Sequence, residues 1–574
     1  MIVKRSRGAL GSGSGSGFGF GSGLGPGFGP GFGVVGAVVV PGVVMFVIGL
    51  WGIDRGGMWR DEAVTFQVAR RSLPQIWHLL HSVDAVHGLY YLLMHPVLAV
   101  RPGEVALRLP SLCAAAVTAS LVAALGVRLA RPRVGLWAGL LYAVTPVVGH
   151  FAQEGRAYAL VSAGVAGATL LLVRAAGSGG WPSGTGVCVG CGSVGAGRAV
   201  PRAPFGGWCW GVYGGVVALT VLLHEMAVLV LLAHAGTLAL ARVSRDVWWG
   251  WGRAVAGVVL VVVPLAVVSH GQAGQVAWLR APDGAAVEAL LRSFAGPTPL
   301  VLGPYLLLIV LALCGPRARR GAFSLPAVAL PLLLVPPATL LAVSRHWPLY
   351  DDRYVLYALA GAPLLAAAGA ERLAGAAARL YGRRTPRHVH PYAVTCLGVC
   401  GVALAFVAQF PVLRADRDPA RRPDDLAAVS AAAARRMSHG DPVLFLPALA
   451  RRAAVAYPKG FRGTADIALR EPGPVSGTLY GRETSPGELR RRLDGLDRVW
   501  VVAEPYALRP GWYPPVPAEQ VKLALLEGEF VSRAEYVRKA SVMRLYVRRS
   551  VAAGPAGVTR SPGSPPAPPR PARP

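Results

Sequence analysis

Met58-Trp59-Arg60-Asp61-Glu62-Ala63-Val64-Thr65 stands a few residues beyond a continuous apolar run, residues 34–51. That run is long enough to cross a bilayer, which takes about 20 residues of helix. An Arg-Asp-Glu triplet so close to its end must sit in water or among compensating charges, because ionised groups near hydrocarbon lose their hydration. Asp84, His87, Tyr90, Tyr91, His95 and Arg108 follow before the next clear span. No other interval between apolar runs holds so many groups able to bind, donate or accept protons. The stretch reads as the wall of a site at an outer membrane surface, and the rest of the chain as its support.

The composition agrees. Of 574 residues, 53% are hydrophobic and 15% charged, with a mean hydropathy of +0.46. Soluble domains run at about 45–50% apolar and about 25% charged. The apolar residues fall in blocks of spanning length, so the expected fold class is a polytopic α-helical membrane protein. A formal net charge of +29 raises nucleic acid as a partner. The basic residues cluster beside apolar runs instead, at Arg131-Pro132-Arg133, Arg317-Ala318-Arg319-Arg320 and Arg383-Arg384. This is positive-inside patterning and speaks against nucleic acid. Seven cysteines make no disulfide framework; Cys188 and Cys191 form a lone CxxC with no second ligand pair.

Basic clusters alternate with polar, aromatic and acidic intervals, which gives about eleven spans: 34–51, 109–130, 134–150, 158–173, 208–223, 226–241, 254–269, 300–314, 325–343, 355–370 and 392–412. The apolar segment 87–100 is too short to cross and reads as an interfacial or re-entrant helix. Four regions result. Residues 1–33 form a Gly-rich tail expected to be disordered and cytoplasmic, and 34–412 form the membrane domain, with its first outer loop at 53–108. Residues 413–550 form a small extracytoplasmic α/β domain, in which 442–446 and 498–503 read as buried strands. Residues 551–574 form a Pro/Ala-rich tail expected to be disordered.

Candidate site residues share the outer face. Asp61 or Glu62 could cap a short helix beginning near Ala63, and Asp61 could also serve as general base toward a hydroxyl. Glu62 could pair with Arg60 or Arg156. Glu154, Arg156 and Tyr158 emerge in the second outer loop; Arg156 could neutralise a phosphate, and Glu154 could bind sugar hydroxyls or, with His224, a divalent metal. Arg353 beside Tyr354 suits a phosphate, since guanidinium binds its oxygens in a planar fork, though an interface anchor has the same composition. Trp278 and Arg280 could belong to a lid.

The order of these motifs resembles the C-type membrane glycosyltransferases. The resemblance rests on Asp-Glu soon after span one, then Asp84-x-x-His87, Leu89-Tyr90-Tyr91-Leu92-Leu93-Met94-His95 and Leu107-Arg108-Leu109-Pro110-Ser111. It is closest to the protein O-mannosyltransferase and aminoarabinose transferase branch in its actinobacterial form, and covers about residues 35–412. Where relatives often carry a Pro-Pro pair, this chain reads His87-Gly88-Leu89. The resemblance implies a polyprenyl-phosphate sugar donor and a protein, lipid or glycan acceptor, in a multi-pass protein of the plasma membrane. It places Asp61 at the catalytic acid position, with Glu62 beside it. Asp84, His87, Arg108, Glu154, Arg156, Tyr158, His224 and Arg353 are then the substrate-binding candidates. A flippase for lipid-linked sugar and a non-catalytic envelope scaffold stay open as alternatives.

Overall fold

A computed structural model describes residues 30–177, 205–315, 319–384, 391–422, 424–539 and 541–552. The first 29 residues, the Cys188–Cys191 pair and the Pro/Ala tail lie outside them. The N-terminal part is helical: α1 (Pro30–Leu50), α2 (Arg60–Ala69), α3 (Leu73–Leu80), α4 (Gly88–Val100), α5 (Glu104–Leu129), α6 (Pro132–Val144), α7 (Pro146–Ala152) and α8 (Tyr158–Gly177). It continues with α9 (Phe205–Leu223), α10 (Val230–Ala241), α11 (Arg245–Gly271), α12 (Gly284–Ala295), α13 (Pro299–Leu313), α14 (Leu325–Val343), α15 (Gly361–Arg384) and α16 (Pro391–Asp416).

All eleven expected runs fall on helices, as hydrocarbon demands: a backbone that cannot bond to water must satisfy its N–H and C=O groups within itself. Seven helices among the described residues are long and apolar enough to cross a membrane, or nine if two bent pairs each count as one span. The bends are 66° between α6 and α7 and 81° between α12 and α13. The first lies at Thr145, just before Pro146, and the second follows Gly296, whose φ of +135° few side-chain-bearing residues adopt. Runs 208–223 and 226–241 fall on shorter apolar helices. The α4 helix, 13 residues long, is likewise too short to cross.

With lipid as apolar as any side chain, helices associate through close approach and polar contacts. A Cβ on Gly126 would lie 2.6 Å from the Gly135 Cα, and one on Gly369 would strike the Leu308 carbonyl, so α5 meets α6 and α13 meets α15 at glycine. His234 on α10 bonds Thr169 of α8 at 3.0 Å and the Tyr213 hydroxyl of α9 at 2.8 Å. Trp251 of α11 donates to that same hydroxyl at 3.1 Å. One imidazole thus ties four helices together.

After α16 the chain builds a five-stranded sheet in the order β2-β1-β5-β7-β6. Its strands are β1 (Pro442–Leu446), β2 (Ala465–Asp466), β5 (Arg498–Ala503), β6 (Phe530–Arg538) and β7 (Ser541–Arg548); β3 (Leu469–Glu471) and β4 (Arg482–Glu483) form a separate pair. The central β1 and β5 run parallel and are almost wholly buried, which their unbroken apolar sequences require. Side chains alternate between faces. Leu444, Leu446, Val499 and Val501 pack on Leu489 and Leu493 of α20 (Pro486–Asp494) and Leu525 of α21 (Pro517–Glu529). Val443, Phe445, Trp500 and Val502 face the other way, and join the core that contains Leu426 and Val429 of α17 (Leu426–Arg436) and the membrane helices. Between them lie α18 (Arg452–Ala456), packed on α2, and α19 (Gly473–Ser476).

Candidate active site

Asp61 and Glu62 both lie in the first turn of α2. Glu62 points inward and is fully buried. Its two oxygens accept from Arg108 Nε at 2.8 Å and NH2 at 2.9 Å, and Oε1 also accepts the Gly155 N–H at 3.0 Å. Arg108, itself fully buried, spends its remaining donors on the carbonyls of Ile53 (2.9 Å), Arg55 (3.2 Å) and Gly57 (3.2 Å). This corrects one expectation: Glu62 pairs with Arg108, and at 3.5 Å with Arg422, rather than with Arg60 or Arg156. Together Glu62 and Arg108 pin the loop before α2 to α5 and to the turn after α7.

Asp61 takes the other direction. Its Oδ2 accepts from Arg353 NH1 at 3.1 Å, with 23% of the Asp61 side chain and 15% of the Arg353 side chain exposed. Arg353 begins the short helix that leads into α15. Its guanidinium also meets Asp351 Oδ2 at 3.3 Å and lies 5.7 Å from the ring centres of Tyr158 and Tyr354. A second guanidinium stands nearby: Arg156 donates to His87 Nε2 at 2.8 Å and to Thr65 Oγ1 at 3.5 Å. Since Nε2 accepts, the His87 proton lies on Nδ1, and burial followed by the Arg156 charge holds that imidazole neutral.

Asp84 precedes His87 in a left-handed conformation, φ +59°, which Asp adopts more readily than most residues. It accepts the Tyr91 hydroxyl at 2.9 Å. The expected lid residues Trp278 and Arg280 are both exposed, while the turn before them closes on this loop, with Gln272 Oε1 accepting the Ala85 N–H at 3.0 Å. His224 packs at a tilt between the rings of Tyr354, 4.8 Å away, and Tyr158, 5.5 Å away.

Two cavities meet around Arg353-Tyr354. One of about 390 Å³ is lined by Trp59, Glu154, Arg353, Asp416, Arg421 and Arg422. The other, of about 440 Å³, is lined by His87, His224, Gln272 and Tyr354, with Val262 of α11 and Leu279 forming apolar wall. Arg353 lines the first and Tyr354 the second; Asp61 lines neither and reaches the first through its contact with Arg353. Burial pushes the Glu154 carboxyl up to about 7, against the lowering effect of His150 and Arg353. Burial, then Arg156 and Arg353, pushes His224 down to about 3.

A divalent metal does not fit the residues proposed for it. Glu154 and His224 line different cavities, and both feel the positive charge of Arg353 and Arg156. No group of three or more His, Cys, Asp or Glu among the described residues could hold a metal ion. Sequence reading passed over Asp351, Arg421 and Arg422. The Asp351-Asp352-Arg353 run in a water-facing interval was a local signal for the first; the two arginines follow the last span and carry no motif.

The fold is that of the C-type membrane glycosyltransferases. The chain superposes on ArnT from Cupriavidus metallidurans in the apo state with a TM-score of 0.55, at 12% identity over 89% of this chain and 98% of that one. Against the same protein bound to undecaprenyl phosphate the TM-score is 0.52, at 12% identity and the same coverage. A looser likeness, TM-score 0.46 at 11% identity over 88% of this chain and 80% of that one, is to the oligosaccharyltransferase of Archaeoglobus fulgidus in the apo form. No protein-family model matches the chain, and no curated protein sequence does.

Proposed function

We propose that the protein is a membrane glycosyltransferase acting at the extracytoplasmic face. It would move a sugar, mannose or another pyranose or pentose, from a polyprenyl phosphate to a hydroxyl of a protein, lipid or glycan. The observation that carries this reading is the contact of Asp61 with Arg353, 3.1 Å apart, where Arg353 lines the polar cavity beside Trp59 and Glu154. The cavity with the apolar α11 wall suits the donor's first isoprene units; the more polar one beside Trp59 and Glu154, which Arg353 lines, suits the phosphate, the sugar and the acceptor hydroxyl. The undecaprenyl phosphate bound to ArnT supports a lipid phosphate on this fold.

In the resting form Arg353 neutralises Asp61. A donor phosphate competes for that guanidinium, which binds phosphate in the same planar fork. Its arrival frees the carboxylate. Asp61 then takes the acceptor hydroxyl proton as the oxygen attacks the anomeric carbon from the face opposite the phosphate. The bond from that carbon to the phosphate oxygen breaks, the anomeric configuration inverts, and polyprenyl phosphate departs. Arg353 and Arg156 stabilise the charge growing on the leaving oxygen, the preorganised contribution that usually dominates such catalysis. His87, held neutral, orients Arg156.

Replacing Asp61 by Asn keeps the size but removes the proton acceptor, and loss of a positioned base costs about 10²–10⁴-fold in rate. Membranes carrying Asp61→Asn, incubated with radiolabelled polyprenyl-phosphate mannose, are expected to bind the donor and release almost no label to acceptors. Wild-type turnover in that variant would remove Asp61 from the mechanism.

A further inference from the structure

The helix that carries Asp61 does not cap itself. Its N-cap residue is Trp59, whose side chain makes no capping bond, and an indole offers no acceptor for one. A helix start leaves its first N–H groups without intrahelical partners. The Arg60 N–H finds its partner 364 positions along the chain, where Asp424 Oδ2 accepts it at 3.0 Å. Asp424 is buried, 1% exposed. The next residue, Asp425, caps its own helix by accepting the Ala428 N–H at 2.9 Å. Two consecutive aspartates therefore cap two different helices, α2 and α17.

A second tie lies just upstream. The Tyr457 hydroxyl accepts the Met58 N–H at 2.6 Å and donates to Glu104 at 2.7 Å, which joins the residues before α2 to the start of α5. The α18 helix, which ends just before Tyr457, packs along α2. The first turn of α2 is thus held from two sides by residues that follow the last span.

We infer that Asp424 is a positioning residue for Asp61: the C-terminal α/β part supplies, from outside, the N-cap that α2 lacks, and so fixes where the Asp61 carboxylate meets Arg353. The functional half of this inference rests on the reading of Asp61 as the base. A cap and an ion pair are separable here. Asp424 also accepts from Arg60 Nε at 3.0 Å and NH2 at 3.3 Å, but the Arg60 side chain is 48% exposed. The pair is open to solvent on the Arg60 side and buried on the Asp424 side, whereas the backbone N–H stays in place whatever side chain residue 60 carries.

The test uses the full chain in lipid nanodiscs with three variants, Asp424→Ala, Asp424→Asn and Arg60→Met. Hydrogen exchange over residues 59–69 reports the cap without reference to any activity. Transfer of label from radiolabelled polyprenyl-phosphate mannose, with donor binding measured separately, reports the positioning. Asp424→Ala is expected to speed exchange in the first turn and to lower turnover, each by about two- to thirty-fold, the range that loss of a cap allows. Donor affinity should be unchanged. Asp424→Asn should recover most of both, because its amide oxygen still accepts the N–H, and Arg60→Met, which keeps that N–H, should be clearly less impaired than Asp424→Ala. Unchanged exchange in Asp424→Ala, or Arg60→Met as impaired as Asp424→Ala, overturns the inference. Loss of protection in Asp424→Ala beside a wild type that transfers no label keeps the cap and sinks the mannosyl-transfer reading instead.

Discussion

Asp61 and Glu62 are chemically alike and adjacent, yet the 100° turn between successive helix positions sends them to opposite tasks. Glu62 enters a buried pair with Arg108, where neither side chain is exposed. Removing one charge of such a pair strands the other, at a cost of about 3–5 kcal/mol. Glu62→Gln is therefore expected to accumulate poorly or melt early in detergent, and Glu62→Gln combined with Arg108→Met should regain much of the lost stability. If Glu62→Gln melted with the wild type and lost only turnover, Glu62 would return to the mechanism as an acid in its own right. Glu154 gives a pH signature. Burial lifts its folded value from the ordinary 4.5 to about 7, so the folded protein holds that proton more tightly than the unfolded chain does. The contribution is fully present below about 4.5 and is lost as pH rises through about 7. The melting temperature should fall across that window, and Glu154→Gln should flatten the dependence. An unaltered slope in the variant would mean the carboxyl is already ionised below the window.

The apolar runs were legible as helices because lipid leaves no other way to satisfy the backbone. What the runs do not encode is where they bend. Residues 270–299 read as a loop, but the structure forms α12 there and turns 81° into α13. The positive φ at Gly296 enables that turn, and a lone glycine in an apolar stretch signals it only weakly. Polar contacts between spans were also hidden, since the spans read as nearly free of polar groups. His234, which joins α8 and α10 directly and α9 through Tyr213, shows how one residue suffices. Interhelical hydrogen bonds in membranes average about 0.6 and reach about 1.7 kcal/mol. His234→Leu should lose an amount in that range, read as a lower melting temperature, while turnover per folded molecule stays at the wild-type level. A variant that melted normally and lost turnover would show that the network serves the reaction rather than the packing.

At the scale of the whole molecule, the site was legible as a set of residues on one face but not as pairs. Position and residue type picked out Asp61, His87, Arg156 and Arg353. That Asp61 meets Arg353 depends on folding that joins residues 292 apart, and the α2 cap spans 364. Local sequence carries no trace of either. Sidedness is a different matter, because it follows from parity and charge together. Seven helices pass as spans alone, nine with both bent pairs, and eleven with the two shorter apolar helices over 208–223 and 226–241. With the remaining short apolar helix, 85–100, lying in the interface, each count among the described residues is odd, and an odd count would send the two ends of the membrane domain to opposite faces. Arg131 and Arg133, which close on Glu371, mark the end of the bundle away from Asp61. Basic clusters of that kind are retained on the cytoplasmic side. The segment after α16, which supplies Asp424 to the start of α2, must share the face of Asp61. With both bent pairs crossing, four spans precede Gly190 and five or seven separate it from Gly440, so a phosphatase reporter fused near Gly440 is expected to be active and one near Gly190 silent. The reverse pattern would put Asp61, Arg353 and both cavities in the cytoplasm, and activity at both fusions would require an even number of crossings between them.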